Sequence, residues 1–220
     1  RDRVYLALGN LYLKGRYPRQ AVSMLRKAER LNPQDAEIQG ALAGALQSIG
    51  RPDEANEHVE RAIQLDPENA SFYRNRASIL LALNKPAEAE RAVRDGLAVA
   101  RRRLRADPGE PKVLAAMGGL HKSLQAVLQA RLATEPENAK LLLELARSIA
   151  ESAAIQQTTT LHEALRVATE ASLYATNDVE VLFELATLQY QVYRRAEAAA
   201  TCNEILEIDP DHAGARSLLE

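Results

Sequence analysis

The feature that most limits how this chain can fold is a pattern that returns after thirty-four residues. Its first copy reads Leu8-Gly9, Tyr12, Ala21, Leu25, Ala28 and Leu31-Asn32-Pro33. The second reads Leu42-Ala43, Leu46, Ala55, Val59, Ala62 and Leu65-Asp66-Pro67. Small residues fall on small, branched aliphatics on large apolar positions, and proline on proline. Self-similarity at a fixed period is the mark of stacked repeats. Each unit of such an array completes its core only against its neighbours.

Within a period the apolar spacing is helical. Residues 3–14 place Val4, Leu8, Leu11 and Tyr12 on one face by the i, i+3, i+4, i+7 rule. Gly15-Arg16-Tyr17-Pro18 breaks that helix, and Pro18 suits the first turn of the next. Ala21, Met24, Leu25, Ala28 and Leu31 form the second stripe, which Asn32-Pro33 ends because the residue before proline is pushed away from helical geometry. The period predicts a single all-α array over 1–220, with repeats near 2–35, 36–69, 70–110, 111–138, 139–178 and 179–212 and a further helix starting at 213–220.

The copies fail in the middle. The third terminating proline, Pro108, comes seven residues late, about two helical turns, which predicts a longer helix through Arg101-Arg102-Arg103-Leu104-Arg105. The fourth unit is short: Gly118-Gly119 is compatible with a tight turn or with one helix over 112–134. The fifth gains residues near Ser152–Thr160, where Ile155 to Thr160 is polar and β-branched and predicts an extended loop.

Leu, Ala, Glu and Arg dominate, as suits helices. The net charge of −2 gives no global case for nucleic acid or a membrane surface. The signs are unevenly spread: Lys plus Arg against Asp plus Glu is 10 to 10 over 1–70, 12 to 5 over 71–131 and 4 to 11 over 161–220. One cysteine, Cys202, excludes an intrachain disulfide and leaves the compartment, cytoplasmic or periplasmic, open. No apolar run reaches the length of a membrane span. Arg1 opens the chain without an initiator Met and Leu218-Leu219-Glu220 stops inside a helical pattern, so both ends read as cuts in a longer protein.

These residues resemble the tetratricopeptide repeat, most strongly over 2–101 and 139–212. The resemblance implies a right-handed superhelix of helix pairs whose first helices line a concave groove that holds other proteins. It implies no reaction and no cofactor. Carried position by position, the groove would present Arg3, Leu6, Asn10, Leu13 and Lys14, then Glu37, Gly40, Gly44 and Gln47, then Arg74, Ser78 and Leu81. Lys140, Leu143 and Arg147 follow, then Glu180, Phe183, Thr187 and Tyr190. One subgroup grips a terminal carboxylate with lysines, asparagines and an arginine. Asn10 fits that set, but Leu6, Ala41, Ser71 and Asn75 do not, and Arg76 is one residue out of register.

Chemistry is hard to nominate. His58, His121, His162 and His212 are scattered and read as surface or boundary residues, since metal ligands come in clusters. Cys202 takes the aliphatic slot of Leu25 and Val59 and reads as a small buried hydrophobe. No phosphate-binding glycine loop or nucleophile elbow occurs. Arg101, Arg102, Arg103 and Arg105 form a basic patch with two readings: cations complementing a helix C-terminus, which is the favoured one, or a docking patch for an acidic segment, phosphate or lipid headgroup. No stacking aromatics accompany them, which argues against nucleic acid. Leu143, Phe183 and Tyr190 are either exposed anchors or core residues.

The expected function is a non-enzymatic scaffold that binds a peptide or helix of an acidic or amphipathic partner protein. The alternatives are a substrate-recruiting arm of a larger enzyme and a self-associating module.

Overall fold

The computed structural model describes residues 1–156 and 160–220, and among these it contains twelve helices and no strand. Helices α1 (Asp2–Lys14) and α2 (Pro18–Leu31), α3 (Ala36–Ser48) and α4 (Pro52–Leu65), and α5 (Ala70–Ala82) and α6 (Pro86–Ala106) pack as pairs, and the second helix of each pair through α4 also packs on the first helix of the next. Proline opens α2, α4 and α6, where its missing N–H costs no helical bond. Beyond α1, which has no side-chain cap, first helices are capped by side chains instead. Asp35 accepts from the backbone N–H groups of Glu37 and Ile38, Asn69 from that of Ser71 and Asp178 from those of Glu180 and Val181.

Four of the pairs are joined by the same turn. Arg16, Gly50 and Asn84, spaced by the repeat, hold φ of 62°, 76° and 58°, and Tyr193 holds 64°. The next N–H then reaches back five residues, as from Tyr17 to Tyr12 O at 2.8 Å and from Arg51 to Leu46 O at 3.0 Å. This is the left-handed helix stop that satisfies carbonyls at the end of a helix.

The chain divides into two compact units, 1–123 and 124–220, the division falling inside α7 (Pro111–Leu132). In the first unit Ala21, Leu25, Ala28, Ala55, Val59, Ala62, Ala89 and Val93 are fully buried, as their place in the pattern predicts. Each buried aliphatic of Leu or Val size is worth about 1.5–3 kcal/mol. The second unit contains α8 (Ala139–Gln156), α9 (Leu161–Tyr174), α10 (Val179–Gln191), α11 (Arg195–Ile208) and α12 (Ala213–Leu219). Its core includes Ala164, Ala168, Ala171, Ala198, Cys202 and Ile205. Burial pushes the Cys202 thiol up, away from the reactive thiolate.

The irregular middle takes definite form. α6 has 21 residues against 14 in α2 and α4, the two added turns that the late proline predicts. α7 is one helix of 22 residues running through Gly118-Gly119, so no turn forms there. Of the loop predicted at 155–160, Ile155 and Gln156 belong instead to α8, and residues 157–159 lie outside the described residues.

Two further expectations need correction. Val4 and Leu11 are 62% and 65% exposed, whereas the matching Ile38 and Ala45 of α3, the helix on which α2 packs, are buried. His121 is buried rather than superficial, held on the interior side of α7.

Candidate partner-binding face

In the first unit α1, α3 and α5 lie side by side, and in the second so do α8, α10 and α12. The positions nominated for the groove bridge these neighbours. Arg3 donates to Glu37 at 2.5 Å and pairs with Asp35 at 3.1 Å. Gln47 donates to Ser78 Oγ at 2.7 Å. Arg147 donates through Nη1 to Glu180 and through Nε to Glu184, each at 2.8 Å. The bond to Glu37 and the charges of Asp35 and Glu37 hold the Arg3 guanidinium above its ordinary pKa. At Arg147 burial opposes the charge, but the bonds to Glu184 and Glu180 outweigh it and the pKa is likewise raised.

The nominated residues therefore separate. Asn10, Lys14 and Lys140 are exposed, while Arg74 and Leu81 are half-buried, as is Leu13, which packs on the first core. Gly44 has open space where a side chain would stand. Leu6 and Leu143 are only 5% and 4% exposed and leave the list of surface anchors, because each turns into the packing between helices. Phe183 is half-covered: its ring lies tilted against that of His212, which caps α12, with centres 4.8 Å apart, and it packs against Gly214. Tyr190 is exposed, with the Arg195 guanidinium 5.7 Å from its ring centre.

The basic patch is partly neutralised within the first unit. Arg102 donates to Glu68 through Nη2 at 2.5 Å, and Arg103 pairs with Glu110. Arg101 and Arg105 flank Leu104 in a shallow hollow. Arg103 and Arg105 occupy the last turn of α6, where cations complement the helix dipole.

Each unit holds a cleft among its first helices. In the second unit it measures 600 Å³ and lies among Arg147, Glu151, Glu184, Leu188 and Gln191. In the first unit it measures 510 Å³ and opens between α5 and α7, among Asn69, Ser71, Arg74, Glu110, Lys112 and Val113. Lys112 is a residue the sequence reading passed over. It is second in α7, as Glu37 is second in α3 and Lys140 in α8, so counting from helix starts would have found it.

Two family profiles, both described as tetratricopeptide repeat, match residues 6–55 and 46–117. No curated protein sequence matches the chain. Among solved structures it is similar to PilW, a widely conserved type IV pilus biogenesis factor, at 20% identity and a TM-score of 0.44, covering 100% of this chain and 98% of that one. It is also similar to PilF of Pseudomonas aeruginosa, at 19% identity and a TM-score of 0.46, covering 99% and 96%. A third is YrrB, a protein with an unusual peptide-binding site, at 17% identity and a TM-score of 0.40, covering 88% and 96%.

Proposed function

The chain belongs to the tetratricopeptide repeat superfamily, and from that premise we propose that it is a non-enzymatic scaffold holding a peptide or helix of a partner protein along its first helices. The reading takes the chain as one array of six repeats, at 2–35, 36–69, 70–110, 111–138, 139–178 and 179–212. The observation that carries it is the placement of the two clefts: each lies among first helices and mixes charged groups with apolar wall. A pocket that joins apolar surface to a few polar groups is what binding sites offer. Side-by-side helices also let an extended segment touch successive repeats.

The test is site-specific photo-crosslinking from within the cell. Benzoylphenylalanine at Asn10 or Ser78, both exposed on first helices, captures a partner protein, whereas the same group at Glu57 or Arg61, exposed on α4, does not. Capture only from α4 would overturn the reading. Reversing Arg147 is a poor probe of charge, because it would leave Glu180 and Glu184 facing a third carboxylate.

A further inference from the structure

We propose that the cleft between α5 and α7 is a carboxylate-binding site, and that its occupant is an acidic side chain of the partner's peptide. The assignment rests on the scaffold reading above and gives it a definite point of contact.

The charges of the cleft do not cancel. Glu37 on its rim is taken up by Arg3, and Glu110 by Arg103. Arg74 and Lys112 remain, and among the described residues neither makes a hydrogen bond or an ion pair. Every other arginine of the first helices in this unit has a carboxylate partner: Arg3 has Asp35 and Glu37, and Arg76 has Glu60 at 3.0 Å. Two neighbouring cations left without a partner in a partly enclosed cleft are placed to attract an incoming anion.

Arg74 is also given a bed. A methyl group at Gly119 would stand 2.9 Å from its Cδ and 3.0 Å from its Nη1, so the bare glycine of α7 is what lets the side chain lie across it. A guanidinium held against a helix loses less freedom on binding than one free in water. Asn69 and Ser71 at the start of α5, and Lys112 at the start of α7, bring the positive ends of two helices to the same opening.

The same surroundings choose between anions. Glu37 and Glu110 lie at the edge of the cleft, and although paired they disfavour a dianion more than a monoanion. Val113 and Ala116 supply apolar wall for the methylene stem of a glutamate. A carboxylate therefore fits better than a phosphate.

The probe is a fluorescein-labelled, end-blocked peptide Gly-Glu-Glu-Glu-Glu-Gly, titrated by anisotropy in roughly 50 mM salt, where the Debye length leaves such contacts unscreened. Arg74→Gln and Lys112→Gln each weaken binding about five-fold, and the double variant weakens it about twenty-fold or more, as expected for charge-assisted hydrogen bonds. Arg61→Gln, exposed on α4 of the same unit, leaves it unchanged within about two-fold. All four variants alter exposed or half-buried side chains, so thermal melts should coincide with the parent's. In the titration itself, any of four results overturns the assignment. They are no saturable binding, equal affinity for the Gln analogue, no loss in the double variant, or tighter binding of a phosphoserine peptide. If the double variant keeps its crosslinked partner, the cleft falls and the scaffold stands. If the glutamate peptide titrates the cleft but no partner crosslinks to the first helices, the scaffold falls and the cleft stands.

Discussion

At the scale of single residues the turn between paired helices exposes an inconsistency in the sequence. Four equivalent positions adopt positive φ, yet only Gly50 is a glycine. Arg16, Asn84 and Tyr193 take the same conformation with a Cβ, which costs about 1–2 kcal/mol for most L residues and less for asparagine. Tyr193→Gly should therefore stabilise the chain by about 0.5–1 kcal/mol, since relief of strain exceeds the glycine's entropy loss, and Gly50→Ala should destabilise it by about 1 kcal/mol. Urea melts of the two variants would show shifts of opposite sign. The place of the turn was legible from Gly15-Arg16-Tyr17-Pro18 and Gly50-Arg51-Pro52. Its handedness was not, because arginine and tyrosine give no hint of positive φ.

At the scale of helices the sequence was most informative where one residue type has one job. Pro18, Pro52 and Pro86 start the second helices, and Pro108 arriving late gives α6 its added turns. The caps of four first helices went unread, because Asp35, Asn69, Asn138 and Asp178 vary in type while keeping one role. Asp35→Ala removes the acceptor for two N–H groups of α3 and the partner of Arg3. It should cost about 1–2 kcal/mol, while Asp35→Asn should restore most of the cap, as thermal melting of the pair would show. The continuity of α7 was also written in the chain. Val113, Ala116, Leu120, Leu124 and Val127 are all buried at helical spacing straight through the two glycines, and that stripe outweighs the glycines' tendency to turn.

At the scale of the molecule, a repeat code specifies packing and says little about binding. The buried positions Leu25, Val59, Ala89 and Cys202 were legible because every copy needs them. The candidate surface was not, for two physical reasons. Counting groove positions by period cannot tell whether a side chain faces out, and Leu6 and Leu143 turned inward. Nor can it tell whether a charge is free. Arg3 and Arg147 were read as cations for a partner, but carboxylates of the following repeat hold both. Arg74 keeps its nomination, and Lys112 joins it where the period is broken. Whether a partner is held along the first helices is tested most directly by amide hydrogen exchange of the free and partner-bound chain. Binding should slow exchange in the opening turns of α5 and α7 and leave α2 and α4 as they were. Protection confined to α2 and α4, with α5 and α7 unchanged, would contradict it.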